Sequence, residues 1–176
     1  IGFCLVGSEM CIRDSFNQML LGCTNERGSQ LQNWWEGVVD RKDPRIKNHP
    51  MALITDWIIK AIPIAIHGDA VPVIGVGRAG SKSLDCYSWL GILGSGPTLF
   101  VKNYIFGIFN QNKVGRMTMD TAWRVISWSL KACYDGKWPT HNWLNPSYLE
   151  IDPYGAEAAM AGKDLADGMF LVPWSQ

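Results

Sequence analysis

The apolar positions of this 176-residue chain fall into blocks of different period, and those blocks predict its elements. From residue 1 to about 49 no period is sustained. There "IGFCLV" reads as a short strand, Asp14 to Gly22 as a short helix between a capping residue and a glycine stop, and "VDRKDPRIKNHP" as a solvated connector. Pro50 suits a first helical turn, and Leu53, Ile54, Trp57, Ile58 and Ala61 recur on one helical face until Pro63. β-Branched residues then take over in "IAIHGDAVPVIGV", which predicts a strand over 64–74. Further strands are predicted over 83–93 and 99–109, with the turn "GSGP" between them, giving an antiparallel meander. Met119, Trp123, Ile126, Leu130, Cys133 and Tyr134 form the stripe of a helix that Thr118 caps and Gly136 ends. A proline-containing aromatic loop over 137–155, an alanine-rich helix over 156–168 and a strand in "MFLVPWSQ" complete the series, with Pro173 marking an edge or a strand end. The order predicts a mixed α/β domain over 50–176, its last strand beside its first, behind an irregular segment over 1–49.

Composition narrows the function classes. Sixteen basic residues balance sixteen acidic ones, so no overall field draws in polyanions, which weakens a dedicated DNA-binding module without removing a polymer-processing core. The hydrophobic share of 47% and nine tryptophans exclude general disorder. Five cysteines at irregular gaps, with no CxxC pair, read as free thiols in a reducing compartment. No long uncharged apolar span is present, so the expectation is an intracellular protein with no membrane partner. Both ends read as cuts: there is no initiator methionine, and the chain stops as an extended apolar run finishes, so a fragment truncated at its C-terminus is expected.

The chemistry centres on "HGDAVPV". On a strand over 64–74, His67, Asp69 and Val71 share one face, and a carboxylate buried there needs a basic side chain, hydrogen-bond donors or a divalent cation beside it. The alternative is a turn begun by Asp69 and relaxed by Gly68, which Pro72 favours. Asp85 is the in-chain neighbour that the next strand would bring back to Asp69 as a second catalytic acid, and His67 is a candidate metal ligand or general base. Two-metal phosphodiester chemistry needs several such acids around ions about 4 Å apart. Gly75, Gly77 and Gly80 match G-x-G-x-x-G spacing, but strand rather than helix follows, so they read as a hairpin turn. Asp120, Asp152, Asp164 and Asp167 read as capping, turn or surface acids, and His49 and His141 lack metal-motif companions. Arg41, Lys42, Arg45 and Lys47 read as a surface loop in preference to a phosphate strip. Trp138, Trp143, Tyr148 and Tyr154 either pack their loop on the core or form a recognition surface, the feature behind a non-enzymatic protein- or nucleic-acid-binding domain.

The strand carrying Asp69 in "IAIHGDAVPV", two antiparallel strands, the helix from Thr118 and the strand in "MFLVPWS" together resemble the first part of a ribonuclease-H-like core, as in DDE-type transposases and integrases. The resemblance implies divalent-metal-dependent cleavage and joining of DNA with Mg²⁺ or Mn²⁺, and a nuclear site of action. Asp69 stands at the family's first-strand acid; the second acid, just past the fourth strand, and the third, on a later helix, would follow Gln176, leaving these residues inactive in isolation. The stretches "HGDAVPVIGVG", "KSLDCYSWLGILGSG" and "LVPWS" also resemble highly multiplied proteins of dinoflagellate genomes, a resemblance that carries no activity.

Overall fold

A computed structural model describes residues 16–22, 27–74, 82–98, 102–109, 116–165 and 168–174. The expected strand in "IGFCLV", the Asp14 cap, the glycine run after β1 and Asp167 lie outside them. In chain order the elements are α1 (Phe16–Leu21), α2 (Arg27–Asp40), α3 (Pro44–Lys47), a 3₁₀ turn (Pro50–Leu53), α4 (Trp57–Lys60), β1 (Ala61–Ile74), β2 (Lys82–Gly91), β3 (Lys102–Phe109), α5 (Arg116–Asp135), α6 (Tyr148–Ile151), α7 (Ala156–Met160) and β4 (Phe170–Pro173). The strands form one sheet in the order β3-β2-β1-β4. β1, β2 and β3 pair antiparallel as the expected meander, and β4 returns parallel to β1, matching Ala61 to Phe170 and Ile64 to Pro173. This is a mixed α/β fold with a four-stranded mixed sheet.

The N-terminal part departs from expectation. In place of an irregular segment it contains the fourteen-residue α2, whose Leu31, Trp35 and Val38 recur at helical spacing and are buried in the same core as Ile62, Ile64 and Val172. Trp35 anchors it. Its indole Nε1–H donates to the Ala61 carbonyl at 2.6 Å, and its ring meets Trp34, Trp57 and Trp174 edge-on at 4.5, 5.1 and 5.0 Å. Each such pair contributes about 0.5–1.5 kcal/mol beyond its buried area. The connector is also shaped: Asp43 caps α3 by accepting from the Arg45 amide, and Pro44 fills the first helical turn.

The helix expected from Pro50 to Pro63 is broken. Asp56 takes a left-handed conformation (φ 59°) between the 3₁₀ turn and α4, so the apolar stripe never forms and Leu53 stays 90% exposed. β1 instead begins at Ala61, where Ala61, Ile62, Pro63 and Ile64 are all buried. Pro63 is tolerated inside the strand, and its carbonyl still accepts from the Ile92 amide at 3.0 Å. The helix expected over 156–168 stops at Met160, because Gly162 turns the chain with φ 76°. Gly136, at φ 65°, ends α5 where predicted.

Two close approaches fix how α1 and the sheet meet. A Cβ on Gly91 would lie 2.7 Å from Leu20 Cα and 2.8 Å from its carbonyl oxygen, so α1 rests backbone to backbone on the end of β2. The Ser95 amide, just beyond β2, donates to Gln18 O at 3.1 Å and pins the same junction.

Candidate functional site

Asp69 sits within β1, so the strand reading holds over the turn reading, and its side chain is exposed. The β1–β2 register pairs His67 with Ser88, Gly68 with Tyr87, Asp69 with Cys86 and Ala70 with Asp85. Residues paired across a ladder point to one face, and successive residues point to opposite faces. His67, Asp69, Cys86 and Ser88 therefore share one face, while Gly68, Tyr87, Ala70 and Asp85 share the other.

This separates the acid pair expected from the sequence. Asp69 and Asp85 stand on opposite sides of the sheet, because the register is offset by one residue from the one that would align them. The face of Asp85 is the one packed by aromatics. The Tyr87 ring lies where a Cβ on Gly68 would meet it at 2.8 Å, stacks on Phe106 at 4.7 Å and meets Trp123 of α5 edge-on at 5.2 Å. Gly68 is thus the space that Tyr87 needs. Asp85 is half-buried there.

On the other face, the Asp69 carboxylate Oδ1 accepts from the Ala70 amide at 2.8 Å, which holds it against the strand. His67 is exposed two residues earlier. β4 runs in the direction of β1, and the Trp174 amide, after its last residue, donates to Ile64 O at 2.8 Å. Asp69 lies five residues further along β1, about 17 Å at the usual strand rise of roughly 3.4 Å per residue.

A resident divalent ion can be tested against this donor set. One carboxylate and one imidazole supply part of a coordination shell and not the several acids a two-metal site requires. Among the described residues no three His, Cys, Asp or Glu side chains are grouped to hold a metal. By themselves they do not make the expected site.

Two other clusters went unread in the sequence. Arg45 lies over the Trp174 ring at 4.4 Å and grips the Asp43 carboxylate through Nε at 2.9 Å and Nη2 at 2.5 Å. The Arg45 guanidinium, by its hydrogen bonds above all, lowers the Asp43 pKa to about 2. Arg45, expected in an ordinary surface loop, is therefore held by Asp43 and Trp174. Beside it, His49 Nδ1 accepts from the Met51 amide at 3.2 Å, its ring lies 5.9 Å from that of Trp174, and partial burial lowers its pKa.

The second cluster surrounds a cavity of about 370 Å³ lined in part by Lys60, Tyr134, Lys137, Asp164 and Phe170. The Tyr134 hydroxyl is buried with no hydrogen-bond partner among the described residues, and burial raises its pKa. Lys60 pairs with Asp56 at 3.7 Å, and Asp135 with Lys131 at 2.8 Å. Two of the charges lining the cavity, Lys60 and Asp135, are thus paired with neighbours. Neither Cys86, half-buried, nor Cys133, buried, is joined in a disulfide.

The fold and this face define a mixed α/β domain with an exposed His–x–Asp pair on a central strand. No protein-family model, curated protein or solved structure matches the chain. Among the described residues no helix is long and apolar enough to cross a membrane.

Proposed function

We propose that the chain is part of a ribonuclease-H-like domain of the transposase and integrase kind, with Asp69 as its central-strand acid and DNA as its substrate, acting in the nucleus. The observation that carries the reading is the strand order β3-β2-β1-β4, with an antiparallel meander followed by a helix and a parallel fourth strand beside the first. Asp69 adds to it: an exposed carboxylate on a central strand, toward the end to which β4 runs. Asp85 has no part in this reading, since its face is the one packed against Trp123. In such domains a divalent cation, Mg²⁺ or Mn²⁺, activates the attacking water or hydroxyl and stabilises the leaving oxygen. Here Asp69, with His67 beside it, would contribute to holding that ion, and acids outside the described residues would supply the remaining ligands.

The test is nicking of supercoiled DNA by the full-length protein with Mg²⁺ or Mn²⁺, comparing the parent with Asp69→Asn and Asp85→Asn. Nicking is expected to vanish in Asp69→Asn at an unchanged thermal midpoint and to persist in Asp85→Asn. An inactive parent, or nicking that survives Asp69→Asn, overturns the proposal. A non-enzymatic binding domain is the second reading, favoured by the exposure of Leu144, Leu149, Ile151 and Tyr154.

A further inference from the structure

Between α5 and β4 the chain turns out after Gly136, with Trp138 still packed against the core, and returns at Leu165. The exit and return are clamped together: Leu165 N–H donates to Gly136 O at 2.8 Å, Trp138 N–H to Lys163 O at 2.8 Å and Gly162 N–H to Trp138 O at 2.9 Å, so that Lys137 and Asp164 face each other as an isolated antiparallel backbone pair. Beyond this neck the excursion is organised by its own polar groups. Ser147 and Glu150 form a capping box on α6, Tyr148 N–H donates to Thr140 O, Asn142 N–H to Pro146 O, and the Asp152 carboxylate accepts from the Tyr154 amide. Trp128 of α5 fastens it from below by donating from Nε1 to His141 O at 2.9 Å.

What this ordered segment displays is apolar. Leu144, Leu149, Ile151 and Tyr154 are 63%, 60%, 55% and 97% exposed. Single exposed hydrophobics are ordinary on a protein surface, but four large ones within eleven residues of one hydrogen-bonded segment concentrate apolar surface there. Because the backbone is already held, contact with a partner incurs little ordering cost. Its charge selects the partner: between the neck residues Lys137 and Lys163, residues 138–162 contain Glu150, Asp152 and Glu157 and no lysine or arginine. Such a surface repels phosphates and attracts ammonium and guanidinium groups.

We propose that the 138–162 excursion is a docking surface for a polypeptide segment of a partner protein that combines apolar side chains with lysine or arginine. The assignment holds whether or not the sheet carries metal chemistry. The test uses three labelled probes in fluorescence anisotropy: an amphipathic leucine/lysine peptide, its leucine/glutamate counterpart and a thymidine oligonucleotide. Each is titrated into the chain and into the triple variant Leu149→Ser, Ile151→Ser, Tyr154→Ser, whose changes fall on exposed positions; circular dichroism verifies that the variant is folded. The leucine/lysine peptide is expected to bind the parent in a salt-sensitive way and to lose at least about tenfold in affinity on the variant; the other probes are expected to show no binding that the triple change removes. Equal peptide binding to both proteins, no peptide binding, or oligonucleotide binding lost in the variant overturns the proposal. Self-association of the parent that the triple change abolishes also overturns it, assigning the patch to a second copy of this chain.

Discussion

Single side chains decide more here than their exposure suggests. Partial burial lowers the pKa of His49, and its Nδ1 must be unprotonated to accept from the Met51 amide. Its folded pKa lies below the ordinary 6.5, so the unfolded chain binds the proton more readily. The His49 contribution is therefore complete above pH 6.5 and is lost as pH falls from there through the lowered folded value. Urea midpoints should drop over that window in the parent, and His49→Gln, which keeps an acceptor, should flatten the slope. An unaltered slope would remove His49 from the account. Asp43 acts lower: held to about 2 by Arg45, it adds stability that is present above its ordinary 3.8 and lost as pH falls through about 2. The two windows are separate, so the two groups can be told apart in one titration.

At the scale of elements, the junction of α1 with β2 depends on one missing side chain. In Gly91→Ala the new Cβ would press on the Leu20 backbone, which cannot swing aside as a side chain would, so a loss of about 1–3 kcal/mol is expected. Hydrogen exchange would then show α1 amides losing protection well before those of β1. Elements with a strong period were legible in the sequence: the meander, α5 with its Gly136 stop, and a final strand beside the first. α2 was hidden because Trp34, Gly37 and Val39 blur the Leu31–Trp35–Val38 stripe. The break at Asp56 depends on a left-handed backbone, which aspartate tolerates better than most residues but which no periodicity announces. The candidate site was half legible for a related reason. Alternation along β1 puts His67 and Asp69 on one face, but no pattern within a strand tells which residue of the next stands opposite. That register sent Asp85 to the other side of the sheet.

At the scale of the whole molecule, β1 is the strand on which everything converges. It pairs with β2 along most of its length and with β4 at its start, and α2 closes over it through Trp35. β1–β2 contacts span few residues of chain, whereas β1–β4 contacts span nearly all the residues between them. Contacts of long sequence separation cost more chain entropy to close and form late. Removing two methyls from the fully buried Val172 by Val172→Ala should therefore cost about 2 kcal/mol and appear almost wholly as faster unfolding. Chevron analysis checks this; a slowed folding limb of matching size would place β4 in the nucleus instead.

The parallel return of β4 has a consequence for synthesis. While the ribosome is still producing the excursion, the start of β1 has an unpaired backbone edge next to Ile62 and Ile64, the kind of edge on which nascent chains aggregate. Emergence of Phe170–Pro173 closes it, so this chain is most in need of a chaperone's shelter in the interval between those two segments.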